Sequence, residues 1–207
     1  MGWTLASAHG VFEVIRDLVL LWFAWQGLGT WKRQIRGNTE FDLARRMQEA
    51  VYRVRDGLAV VRDPMTLAGE EVAAREEAGL EEPLDPFDSK QDLETQKAVF
   101  ARRWQHLMGH VSHFQSVSLE AEVLWAREFT GLRDQLLALV RKLRAAAWRY
   151  FFEMEAGTLK GKKDAEELRR IMNYWGGGAD PDKDPFSAQI DQCVAAFEAF
   201  TKSRLRL

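Results

Sequence analysis

Three runs of apolar residues in this chain repeat at alternating spacings of three and four residues. Such a repeat places its members on one stripe along a helix, because each turn of an α-helix holds about 3.6 residues. The stripe is stable only if another surface covers it. We call these runs the first, second and third seams: Ala44, Met47, Val51, Val54, Leu58 and Val61; Phe100, Trp104, Leu107, Val111 and Phe114; and Leu136, Val140, Leu143, Ala147, Tyr150 and Met154.

The seams predict an all-α fold. No run of alternating β-branched residues bounded by turn residues occurs in the sequence. Three stripes joined by loops are most economically buried in an antiparallel helical bundle, and a coiled-coil oligomer of long helices is the alternative. The complete prediction is an N-terminal transmembrane or membrane-associated helix followed by a cytoplasmic antiparallel bundle.

Capping residues and prolines predict where the helices begin and end. Thr39 and Asp42 resemble a capping pair before the first seam, and Pro64 ends that helix because proline breaks helices. Gly157 is the expected terminator of the third seam. Two shorter helices follow, one over Asp164–Trp175 with a capping pair at Asp164 and Glu167, and one with Asp184 as N-cap and Pro185 in its first turn.

The same signals predict four regions. Residues 1-36 form an N-terminal anchor helix with a basic flank, and residues 37-63 form the first bundle helix. Residues 64-92 are an acidic, proline-containing linker, and residues 93-207 are a helical bundle with a glycine-rich break near 176-184. The linker is interpreted as a solvated segment with at most one short helix, because charge blocks usually stay solvated. An acidic docking arm for a basic partner is the alternative.

A strongly apolar stretch, LVLLWFAWQGLGTW, runs from Leu18 to Trp31. It would form about 21 Å of helix, and extension back to Phe12 supplies the roughly 20 residues that a membrane span requires. Basic residues follow it directly and none precedes Arg16. The positive-inside rule therefore predicts a single pass through the cell membrane, with the N-terminus outside and the bulk cytoplasmic. The predicted anchor residues are Trp3, Phe12, Leu18, Trp22, Trp25, Trp31, Lys32, Arg33 and Arg36.

Four polar residues share one face at the start of this helix: His9, Glu13, Arg16 and Asp17. They are spaced at i, i+4, i+7 and i+8, which aligns them along the helix. One interpretation is that they reach toward the lipid headgroups from the end of the span. The other is that they contact a second transmembrane helix, because charges in a membrane usually face a partner.

Candidate chemistry is sparse. His106, His110 and His113 fall on one helical face, and imidazoles one turn apart can share a metal. The row lacks the glutamate of a zincin motif and the Glu-x-x-His pairs of di-iron bundles, so we interpret it as a polar flank of the second seam. Cys193 lies among apolar residues and is predicted to be a buried small hydrophobe. The basic run Arg141, Lys142, Arg144 and Arg149 is interpreted as solvated surface, with a face for acidic partners or headgroups as the alternative.

These features predict function only at the level of a class. The formal net charge of -2 argues against a general nucleic-acid binder. The expected partners are membrane lipid and either a protein partner or a second copy of the chain, with no cofactor, metal or catalytic residue. The chain is thus predicted to be a membrane-anchored helical scaffold or accessory protein. The alternatives are a metal-binding or enzymatic bundle that uses the histidine row, and a soluble oligomeric helical regulator.

Overall fold

A computed structural model describes the backbone of residues 3–81, 89–158, 162–173 and 184–205. Before residue 37 it describes only four side chains, those of Leu18, Leu21, Trp22 and Trp25. The described part of the chain is helical with connecting turns and contains no strand, which confirms the all-α class. The helices are α1 (Trp3–Arg62), α2 (Ala68–Ala78), α3 (Ser89–Glu155), α4 (Lys162–Met172) and α5 (Pro185–Lys202).

Helix α3 is folded back on itself. Its 67 residues would extend about 100 Å as a straight rod, yet Lys97 Nζ lies 2.7 Å from Glu155 Oε2. Arg133 forms an ion pair with Glu122, so the reversal lies between these two residues. The two antiparallel parts, residues 89–122 and 133–155, are called here the first arm and the second arm. They carry the second and third seams, respectively.

The second half of α1, the two arms and α5 pack as an antiparallel four-helix bundle. Arg46 pairs with Glu120 at 2.6 Å near one end of the first arm, and Gly57 packs against Leu107 further along it. The ring of Phe197 on α5 lies 5.9 Å from that of Phe114. The predicted bundle is therefore confirmed, and its seams face one another within a single chain.

Burial of the seams follows the spacing closely. All six members of the first seam are buried, as are five of the six members of the third. Met154 is the exception at 39 % exposure, because it lies at the end of α3 where the bundle core stops. In the second seam, Phe100 and Trp104 are only half-buried. Both side chains also line a groove on the surface between the two arms.

The predicted helix ends are partly correct. Helix α1 ends at Arg62 as predicted, and Gly157 has a left-handed φ of 61° just after α3. Asp184 caps α5 and accepts a hydrogen bond of 2.9 Å from the amide of Ser187. The helix start predicted at Thr39 is wrong, because α1 is continuous from Trp3. A capping residue acts only where the preceding backbone leaves the helix, and here it does not.

The predicted cap at Asp164 is also wrong, because α4 already begins at Lys162 and Asp164 lies in its first turn. Its carboxylate interacts favourably with the positive end of the helix dipole, but it is not the residue at which the helix begins. Of the predicted glycine-rich break near 176-184, residues 176–183 lie outside the described residues. The predicted region boundaries at 36, 63 and 92 stay predictions.

The chain divides into two compact units, with the first ending at Asp42 and the second beginning at Leu43. No helix in the described residues is both long enough and apolar enough to cross a membrane. The predicted transmembrane helix is therefore not supported by the structure. A stretch of roughly 20 residues, as a span requires, takes in charged residues on one side or the other of Leu18–Trp31.

Candidate functional site

Four large apolar side chains are exposed along one face of α1 in the first unit: Leu18, Leu21, Trp22 and Trp25. Their spacing of i, i+3, i+4 and i+7 aligns them on the helix. Leu18 is 60 % exposed, Leu21 66 %, Trp22 56 % and Trp25 79 %. We call this set the N-terminal stripe. An aligned apolar face of this kind marks a surface that binds lipid or another protein.

The other residues predicted around this stripe cannot be placed. The side chains of Trp3, Phe12, Trp31, Lys32, Arg33 and Arg36 lie outside those that the structure describes, and so do those of His9, Glu13, Arg16 and Asp17. The backbone of all ten residues is helical, because each lies within α1. Their roles as anchor and contact residues stay predictions.

The three histidines on the first arm do not all face the same surroundings. No group of three or more histidine, cysteine or acidic side chains that could hold a metal ion occurs in the described residues. His106 and His113 are exposed, whereas His110 is half-buried. A Cβ at Gly57 would lie 3.2 Å from the His110 ring. The row is thus divided, because His110 packs against α1 while its neighbours face solvent.

A buried arginine joins three elements at one end of the bundle. Arg62 is 1 % exposed. Its guanidinium donates hydrogen bonds to Asp184 Oδ1 at 2.8 Å and Ser187 Oγ at 2.6 Å on the α5 cap. It also donates to the carbonyls of Ile171 at 2.8 Å and Asn173 at 2.9 Å at the end of α4. The α4 carbonyls and the α5 cap are thereby satisfied by one side chain from the end of α1.

The electrostatics of this cluster favour an ionised aspartate. Burial raises the pKa of Asp184, but hydrogen bonds from Ser187 and Arg62 outweigh burial and hold it below its usual value. Sequence reasoning missed this cluster. The available signal was the position of Arg62, a charged residue directly after the last member of the first seam and before Asp63-Pro64.

A second arginine, Arg103, binds the acidic segment over residues 64-92 that was predicted to be a solvated linker. Arg103, on the first arm, binds both Glu70 oxygens at 2.6 and 2.7 Å. It also donates to the carbonyls of Asp63 and Met65. The hydrogen bond from Arg103 lowers the pKa of the Glu70 carboxyl. Helix α2 is the one short helix that this interpretation allowed, and it packs on the first arm through Ala74 while most of its acidic side chains stay exposed.

A polar cavity of about 320 Å³ lies beside Arg103. Its lining carries both charges, with Asp63 and Asp92 as well as Arg103 and Arg169, and it includes Tyr150. Neither histidine, cysteine nor serine lines the cavity. Its described lining instead offers carboxylate, guanidinium and hydroxyl groups.

The one cysteine has the environment of a core residue. Cys193 is 5 % exposed within the bundle core, as predicted. Burial raises the pKa of its thiol to about 11. A thiol with such a pKa is almost entirely protonated at neutral pH, and the thiolate is the reactive form. Cys193 therefore contributes packing and not nucleophilic chemistry.

Comparison with protein-family models, with curated protein sequences and with solved structures gave no match to this chain.

Proposed function

We propose that this chain is a helical scaffold or accessory protein that holds a protein partner at a membrane. The observation that carries the proposal is the exposure of the N-terminal stripe. Full burial of a leucine or a similar side chain contributes about 1.5–3 kcal/mol relative to leaving it in water. Four aligned side chains therefore provide a strong drive toward an apolar environment. The second unit supplies the rigid bundle that a scaffold needs.

The flanking charges support lipid as that environment. Lys32, Arg33 and Arg36 follow the stripe in sequence, and each basic residue near an anionic leaflet contributes about 1 kcal/mol. Together they favour a cytoplasmic position for everything that follows them. We propose a single anchor with the N-terminus outside and the bundle in the cytoplasm. A reporter fused after Leu207 tests the orientation and should be active only in the cytoplasm.

Fractionation tests the anchor. In the test variant, Leu18, Leu21 and Trp25 are each changed to glutamine. In the matched control, Leu67, Leu119 and Val123, which are exposed at 74 %, 66 % and 83 % in the second unit, receive the same change. The unmodified chain and the control should stay in the membrane pellet after an alkaline wash, and the test variant should move to the supernatant.

The opposite result would identify a different function. If the unmodified chain is recovered in the supernatant as an oligomer that the test variant cannot form, the stripe pairs copies of the chain. The protein would then be a soluble oligomeric regulator and not a membrane scaffold. Circular dichroism of all three proteins establishes that the substitutions leave the helices intact.

A further inference from the structure

An aromatic groove of about 410 Å³ runs along the surface between the two arms of α3. The second arm contributes Trp148 and Phe152, whose rings stack at 5.3 Å with an interplanar angle of 10°. The first arm contributes Phe100 and Trp104, which stack at 5.9 Å and 16°. The edge of Phe151 meets Phe100 at 5.5 Å and closes the floor.

Exposure shows that this groove is not part of the bundle core. Trp148 is 69 % exposed and Phe152 is 56 % exposed, although each covers part of the other. Large aromatic side chains bury 150–250 Å² each when covered, and they dominate interface energetics. A stacked aromatic pair that lines a groove between two helices is therefore an anchor point for a bound partner.

The charges along the groove are unequal at its two ends. At one end Lys97 is paired with Glu155 at 2.7 Å. At the other end Arg144 lines the groove one turn before Trp148, and it makes no hydrogen bond or ion pair within the described part of the chain. The groove thus carries one cationic group, Arg144, that no carboxylate compensates.

We propose that the groove binds an amphipathic helix of a protein partner, with an acidic residue of that helix placed against Arg144. This deepens the proposed scaffold function and rests on it. The groove lies parallel to two antiparallel helices, which is the shape that receives a third helix with apolar residues at i, i+3, i+4 and i+7. The uncompensated guanidinium selects a partner with negative charge at that end.

Two other occupants fit less well. A second copy related by two-fold symmetry would place one concave groove against another, so that neither groove would receive a convex helix. A bilayer surface is flat on this scale, whereas the groove is concave and has a lysine–glutamate pair at one end. Both occupants remain distinguishable by experiment.

Two synthetic peptides of about 15 residues test the proposal. They share leucines at i, i+3, i+4 and i+7, and one carries glutamates after the last leucine where the other carries lysines. Their binding to the purified full-length chain is measured by fluorescence anisotropy. The glutamate peptide should bind about fivefold more tightly, which is the upper end of what one exposed ion pair provides.

Three variants assign the binding to the groove. Trp148→Ala should weaken the glutamate peptide by about thirtyfold, the effect of a central interface residue. Arg144→Glu should reverse the preference so that the lysine peptide binds more tightly. Leu119→Ala removes an exposed side chain outside the groove lining and should leave both affinities unchanged.

Four outcomes would each overturn the proposal. Neither peptide binds at about 1 mM, or both bind equally and ignore Trp148→Ala. Dimerisation that Trp148→Ala abolishes would assign the groove to self-association. Binding to vesicles of anionic phospholipid that Trp148→Ala abolishes would assign it to lipid. None of these outcomes changes the fractionation of the unmodified chain, so the membrane proposal is tested separately.

Discussion

Helix α1 presents an aligned apolar face in each of the two units, but one face is exposed and the other is buried. In the first unit, Leu18 and Trp25 are exposed at 60 % and 79 %. In the second unit, Leu58 and the rest of the first seam are buried. The spacing of apolar residues is helical in both. Periodicity therefore identifies which side chains share a face, and only the packing of other elements decides whether that face is covered.

The largest loss of stability is expected from substitution of Arg62, which directly follows the buried face of α1. Arg62→Ala should destabilise the protein by about 3–5 kcal/mol, because it leaves Asp184 buried without its ionic partner. It also removes the donors that satisfy the carbonyls at the end of α4. Arg55→Ala, one heptad earlier, removes a solvent-exposed ion pair with Asp56 and a cation–π contact with Tyr52, and should cost only about 0.5–2 kcal/mol. Urea denaturation of both variants measures the contrast, and equal costs would show that the cluster contributes nothing.

One substitution made on each face of the helix tests the comparison most directly. Leu58→Ala should cost about 2–5 kcal/mol, because it removes buried methyl groups and leaves a cavity. Leu18→Ala changes the same side chain where it is exposed and should alter stability by no more than about 0.5 kcal/mol. The midpoints of thermal unfolding supply the comparison. A large cost at Leu18 in dilute solution, varying with protein concentration, would mean that a second copy covers the N-terminal stripe.

The third effect depends on pH. The pKa of Asp184 is lower in the folded protein than its usual value, so its contribution to stability is present above the unfolded pKa of about 3.9. It is lost as the pH falls through the folded pKa. Asp184→Asn should cost about 1–3 kcal/mol at pH 7, and the difference from the unmodified protein should shrink under acid. A difference that stays constant down to about pH 2 would contradict the role of the ionised carboxylate.

Much of the second unit could be predicted because its signals are local. The seams, the stop at Pro64, the left-handed Gly157 and the Asp184 cap each depend on a few neighbouring residues. The start predicted at Thr39 failed because a capping residue is also tolerated inside a helix when nothing interrupts the backbone. The attachment of the linker helix to the first arm could not be predicted locally, because Arg103, which binds Glu70, lies 33 residues away in sequence.

The sequence by itself determined the helical class and which side chains share a helical face, since side-chain spacing and backbone preference act over one or two turns. Tertiary structure alone decided the reversal of α3, which brings Lys97 to Glu155. It also decided the cluster around Arg62 and the groove at Trp148. Each of these requires side chains distant in the sequence to meet. No local sequence pattern predicts such a contact. The contact depends on how the helices pack and on which charges that packing removes from water.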